Sequence, residues 1–348
     1  MMQYGDRPIG LPDLPRVHGE PVFHGVYRRH PSEFRVTEDL GFVPEGVGSH
    51  WWVLIEKTGL STDEAQSRLA NASGVSRKDI GYAGKKDTHA VTRQWMSLPE
   101  QAQIETGEID AALSVIEVTR NQRKLKIGQL AGNWFELVLH GEVVGDLDAR
   151  LAAIRARGVA NYFGLQRFGR HGSNLQTARR LAQRDPEGRR RLHPKDGMAA
   201  SAARSAGFNA VVAARVETDQ WLSVAVDDVV SLAGRGSHFS VTEDNVEDVM
   251  TRVGGGELDP TAPMMGRDAK TGAAQAARER HVLETDPSLC AWLTGIFREA
   301  DRRAERVIPK QLVSDQQGST LKLKFYCPRG AFATAVLHEL GVLSESRA

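Results

Sequence analysis

Cysteine is scarce, with two residues, Cys290 and Cys327, in a chain of 348. They are far apart and have no metal-ligand spacing, so neither a disulfide framework nor a thiolate zinc site is indicated, and free buried thiols in a reducing compartment are expected. No run approaches the roughly 20 apolar residues that span a bilayer, and the start, MMQYGDRPIGLPDLP, has no apolar signal-peptide core. The sequence therefore reads as soluble and cytoplasmic, with no membrane partner. Charge of one sign is missing too: 45 basic side chains face 44 acidic ones, which excludes a histone-like polycation. No G-x-G-x-x-G follows a strand and no H-x-x-x-H or C-x-x-C occurs, so dinucleotide and metal sites are not expected.

The even balance hides local segregation. Between Arg155 and Asp196 eleven Lys or Arg meet three acids, whereas 243–259 carry six acids. A basic stretch on a neutral chain points to a polyanionic partner. Basic residues interleave with aromatics in RNQRKLK, GNWFE and NYFGLQRFGRHG, a composition suited to phosphate contact and base stacking. Arg123, Lys124, Arg167, Arg170 and Arg190 are the candidate backbone-contacting cations.

Alternation in EFRVTEDL, with Phe34 and Val36 on one face, predicts a strand, followed by a more buried one in HWWVLIEK. Ser61 and Glu64 have capping-box spacing for a helix that stops at Gly74. DIGYAG, QWMSL, LSVIEV, KLKIG and NWFELVLHG extend the strand run, which favours an antiparallel or mixed sheet in an α+β domain. From Leu147 the pattern turns helical in LDARLAAIRARG, NLQTARRLAQR, GMAASAARSAGFNAVVAARV and PSLCAWLTGIFREADRRAERV. The glycine-rich stretches between the last two read as loops around short strands. STLKLKFYCP restores a strand and GAFATAVLHEL a short helix. Strand-rich ends around a helical middle predict an inserted domain.

The most chemical stretch is GYAGKKDTHAVTRQW. Its glycines resemble a phosphate loop, but G-x-x-x-x-G-K-[ST] fails in spacing and in the missing hydroxyl after lysine. An aspartate in a turn has a structural role of its own. The functional reading is that Lys85 and Lys86 favour an ionised Asp87 as nucleophile or base, while glycines admit a substrate closely.

At this point the sequence resembles the TruD family of tRNA pseudouridine synthases. GYAGKKDTHAVTRQW is similar to that family's catalytic motif, with HPSEFRVTEDLGF, RKLKIGQLAGNWFELVL, NYFGLQRFGRHGSN, SAARSAGFN, LAGRGSHF and YCPRGAFATAVLHEL similar to its other motifs in order. The resemblance implies isomerisation of a tRNA uridine, at position 13 in the D arm in bacterial members, without a cofactor or metal and with tRNA as partner. A monomer is expected. It implies an α+β pseudouridine synthase domain with a mixed, largely antiparallel sheet at 1–160 and 305–348, and an inserted α/β family-specific domain at 161–304. Asp87 corresponds to the catalytic aspartate. Phe34, Asn133 and Phe332 correspond to substrate-contacting positions, and Phe135 to an aromatic beside the target base. Lys85 and Lys86 are further expected to meet substrate. Where the family commonly has a lysine, this chain has Arg28, to which an electrostatic role alone is assigned, because an arginine stays charged.

Overall fold

The alternation of Phe34, Val36 and Glu38 is realised as a strand, Phe34–Asp39, whose buried and half-buried residues alternate strictly. This computed structural model describes residues 9–10, 13–234, 236–267 and 271–346. Two compact units divide the chain. One consists of Pro21–Leu151, Pro309–Ala331 and the chain from Leu340. The other takes the chain up to Glu20, Ala152–Ile308 and Phe332–Glu339.

The first unit is built on a sheet of eleven strands among the described residues. Its main path runs Lys310–Gln317, Thr320–Pro328, Gly132–Val143, Phe34–Asp39, Val91–Pro99, His50–Thr58, Leu113–Asn121, Gly107–Asp110. Phe23–Tyr27 pairs with Gly132–Val143 and with Gly341–Glu345, and Gly81–Tyr82 pairs with Val91–Pro99. Two pairings are parallel, Phe23–Tyr27 with Gly341–Glu345 and Phe34–Asp39 with Val91–Pro99. The sheet is therefore mixed and largely antiparallel, and the architecture is α+β. Register sets Phe135, Val36, Thr92 and Lys57 side by side across four strands. Helix Thr62–Ser73 has the full capping box between Ser61 and Glu64 and ends at Gly74 in the left-handed region.

The second unit centres on the 21-residue helix Gly197–Glu217, whose alanines let Ser173–Arg184 and strand Leu258–Met264 approach closely. That strand belongs to a four-stranded antiparallel sheet with Val229–Leu232, His238–Ser240 and Asp301–Ala304.

Three local expectations need correction. KLKIG forms no strand: Leu125 alone is buried, with Leu40, Trp52, Ala83 and Trp95, while Ile127 is 78% exposed and Gly128 turns the chain at φ 90. The helix in PSLCAWLTGIFREADRRAERV stops at Ile296, and Asp301–Ala304 becomes a strand. Arg302 and Arg303 lie in that strand and bond Glu279 and Asn161 respectively. The glycine-punctuated stretches also contain helices, Val246–Gly254 and Ala273–Leu283.

The glycines beside Asp87 differ in what they permit. A Cβ on Gly81 would lie 2.2 Å from the Leu125 carbonyl oxygen, whereas one on Gly84 meets only ordinary contacts at 3.8 and 3.9 Å. Gly81→Ala is expected to lower stability by roughly 1–3 kcal/mol through backbone displacement, and Gly84→Ala to leave it unchanged within about 1 kcal/mol. Urea titration of both variants checks this, and equal midpoints would contradict it.

Candidate active site

Residues 83–90 leave the sheet as a turn with no strand pairing of their own, so their backbone groups need other partners. The Ala83 carbonyl accepts from the Gly128 amide at 2.7 Å, and the Gly84 carbonyl from Gln94 Nε2 at 3.2 Å. The Lys86 amide donates to Thr62 Oγ1 at 2.9 Å, and that hydroxyl donates to Gln94 Oε1 at 3.1 Å. Lys57 Nζ donates to the Asp87 carbonyl at 2.9 Å and to the Leu60 carbonyl at 2.6 Å. Lys57, Thr62 and Gln94 are all buried. The main chain under Asp87 is thus fixed by polar side chains from two strands and a helix start, while the Asp87 side chain stays 38% exposed.

The cation on Asp87 is Arg28, whose Nη2 lies 2.9 Å from Oδ2. Its Nη1 reaches Glu345 Oε1 at 3.0 Å, and the Tyr27 hydroxyl donates to the same oxygen at 3.0 Å. Burial first, and then the Glu345 carboxylate, push the Tyr27 phenol above its ordinary range. The guanidinium lies 3.7 Å from the centroid of the Phe34 ring, a cation–π contact that arginine's flat fork suits. Arg28 sits at φ 59, in the left-handed region, which costs a non-glycine residue roughly 1–2 kcal/mol. Its two carboxylates and two aromatic neighbours offset that strain.

Lys85 and Lys86 do not pair with Asp87, contrary to the expectation from their adjacency. Lys85 bonds Asp63 at 2.7 Å on the surface, and this hydrogen bond lowers the Asp63 carboxyl below its usual range. Successive residues of an extended turn project differently, and Lys86 points back to the sheet. There its Nζ lies 2.6 Å from Glu38 Oε1, and both side chains are buried. The same ammonium donates to Asn133 Oδ1 at 2.8 Å. Because an ammonium only donates, the Asn133 amide must face it with oxygen, leaving its NH2 as the available donor.

Phe34 and Phe135 belong to the same unit as Asp87 but are buried, edge to face at 6.3 Å, with Phe135 stacked on Phe325. Phe332 lies in the second unit and is 41% exposed. It rests beside Phe163 at 5.7 Å, with the Arg303 guanidinium 5.5 Å from its ring. Arg123, Arg170 and Arg190 are exposed. Lys124 is tied to the Lys78 carbonyl at 2.9 Å, and Arg167 donates to Ser205 at 3.1 Å and to Ser201.

Lys57, Glu38 and Glu345 were missed by sequence reasoning. For the first two a signal exists. Val53, Ile55, Lys57 and Phe34, Val36, Glu38 each continue an apolar row with a charge, and a charge in a buried register needs a partner. Glu345 has no such signal.

No group of three or more His, Cys, Asp or Glu suited to a metal occurs among the described residues, and no helix there is long and apolar enough to cross a membrane. The turn thus presents one accessible carboxylate, Asp87, paired with the buried Arg28, in surroundings of the kind that functional carboxylates occupy. A family model described as tRNA pseudouridine synthase D (TruD) matches residues 16–192 and 191–340. A tRNA pseudouridine synthase D from Chromohalobacter salexigens is 41% identical over 345 residues, covering 96% of this chain and 98% of the relative. One from Methylococcus capsulatus is 42% identical, covering 95% of each chain. A crystal structure of a TruD protein from Methanosarcina mazei, 20% identical, shares the fold with a TM-score of 0.69 over 96% of both chains. This chain belongs to the TruD family, and pseudouridine synthases are isomerases.

Lys86→Met would strand the buried Glu38 carboxylate and is expected to destabilise by roughly 3–5 kcal/mol. The double variant Lys86→Met/Glu38→Gln should recover much of that loss. Denaturant titration of the cycle measures the coupling, and a single-variant loss under about 1 kcal/mol would contradict a buried pair.

Proposed function

We propose that this chain isomerises a tRNA uridine to pseudouridine, at position 13 of the D arm, with Asp87 as its catalytic carboxylate. The observation that carries this reading is the Asp87 side chain itself: accessible, beside Arg28, on a backbone fastened at four points, Ala83, Gly84, Lys86 and Asp87. The family supplies the reaction class, and the chemistry supplies the need. The base must leave C1′, turn and rejoin through C5. Substrate and product share one formula, so no redox partner is required.

The enzyme must draw the uridine from its stack and keep the freed uracil. Flipping costs a few kcal/mol and aromatic stacking returns about 1–3 kcal/mol per base. Phe332, exposed in the second unit, keeps the substrate-contacting role that the family resemblance gives it, while Phe34 acts by carrying Arg28 and Phe135 by closing the apolar floor. The Asn133 NH2 faces an acceptor, either a uracil carbonyl or the oxygen of a ribose hydroxyl. Asp87 has three points of action in this chemistry, C1′, the C2′ proton and C6 of the base, and it is also the group at hand for the C5 proton. Arg28 has an electrostatic role. The segment at 161–304 is read as the family-specific insertion, and the basic stretch 155–196 as the face that follows the tRNA backbone.

Asp87→Asn should abolish pseudouridine formation on an unmodified tRNA transcript while leaving tRNA affinity and thermal midpoint unchanged. Retained turnover would end this assignment. If exposed arginines follow phosphates, neutralising Arg170 and Arg190 together should flatten the log–log salt dependence of tRNA affinity by about two units. An unchanged slope returns them to the solvated surface.

A further inference from the structure

Strand His50–Thr58 turns Val53, Ile55 and Lys57 to one face, and all three are 0% exposed. An ammonium here gives up its hydration, a loss that a methionine of similar length would not incur. What it gains is two carbonyl acceptors, Leu60 at 2.6 Å and Asp87 at 2.9 Å. These carbonyls belong to different segments. Leu60 leads into the cap of helix Thr62–Ser73, and Asp87 carries the carboxylate. The other fasteners of the turn reach Ala83, Gly84 and Lys86, so Lys57 is the side chain bonded to the backbone of Asp87 itself.

We propose that Lys57 is a positioning residue for the isomerisation: its buried ammonium clamps the Asp87 carbonyl to the start of the neighbouring helix and so sets the direction of the carboxylate. This rests on the reading of Asp87 as the catalytic group. The charges that face Lys57 are Asp87 and Lys86 on the turn and Glu64 on the helix, while its cross-strand partners Thr92 and Leu113 are uncharged. Burial, partly opposed by the Asp87 charge, pulls the Lys57 ammonium down to about 8. The clamp therefore weakens on the alkaline side, where a neutral amine donates more feebly than an ammonium.

The sign of the linkage separates this from unfolding. Between about 8 and the ordinary lysine value of 10.5, the unfolded chain binds a proton that the folded chain has lost. Stability contributed by this group therefore rises with pH across that window. An alkaline loss of rate traced to Lys57 is a loss of positioning in a folded enzyme.

The test uses the full chain and an unmodified tRNA transcript under single-turnover conditions, with tRNA affinity and thermal midpoint measured in parallel. Wild type should lose rate with a midpoint near 8 at constant tRNA affinity. Lys57→Met should react roughly tenfold to a hundredfold more slowly, the scale of a misdirected catalytic group. It should also show no lowered thermal midpoint and no alkaline decline. Lys57→Arg, permanently charged, should recover rate relative to Lys57→Met and stay flat on the alkaline side.

Two results overturn the proposal: a Lys57→Met enzyme as fast as wild type, or one whose loss of rate merely follows a lowered thermal midpoint while the alkaline decline persists. Should Lys57→Met not fold, the wild-type profile decides, because a flat rate through pH 8 refutes the clamp. Asp87→Asn is the control that separates the two readings. If it is inactive while Lys57→Met is unaffected, the clamp alone is wrong. If it is active, the Asp87 assignment falls and the clamp with it.

Discussion

Everything at the site depends on how a turn with no ladder of its own is held still. The sheet cannot fix residues 83–90 by strand pairing, so Lys57, Thr62 and Gln94 bond their backbone instead. Each of these side chains is buried, which removes competition from water and makes its hydrogen bonds exacting in geometry. The cost is a set of polar groups inside an apolar sheet face, tolerable because each finds a partner. A catalytic side chain benefits from this arrangement because backbone freedom would blur its direction.

Charge at the site is organised by contact and not by adjacency in sequence. Lys85 and Lys86 flank Asp87 in the chain, yet one pairs with Asp63 and the other with Glu38. Arg28, from the other side of the sheet's chain order, takes the Asp87 carboxylate. Its fork also bridges to Glu345, delivered by a strand parallel to Phe23–Tyr27, which Arg28 follows directly. A lysine could not span two carboxylates while lying flat on Phe34, so the arginine at this position is a geometrical choice as well as an electrostatic one. The Arg28 side chain is thus held between segments far apart in sequence, Asp87 on the turn and Glu345 on the strand Gly341–Glu345.

Much of the fold was legible because burial imposes period two on strands and capping imposes residue types on helix ends. Phe34–Asp39, Gly132–Val143 and helix Thr62–Ser73 follow from those rules. KLKIG and the stretch after Ile296 misled for the same reason. Local pattern does not say whether an alternating or arginine-rich segment has a partner strand, and Asp301–Ala304 acquires its role only by pairing with Leu258–Met264. At the site, Asp87 stood out by composition and by family resemblance and Arg28 by resemblance alone, but the pairing of the two was not legible. Glu345 reaches Arg28 through a parallel pairing of distant segments, and no spacing encodes that. Lys57 and Glu38 were readable in principle, as charges that continue buried apolar rows.

The central claim is that this chain converts one tRNA uridine to its C-glycoside isomer. The most direct measurement is a pseudouridine map of tRNA from cells that lack this protein. The account predicts that pseudouridine disappears from position 13 of the D arm while other sites keep it. A map unchanged at that position would contradict the account.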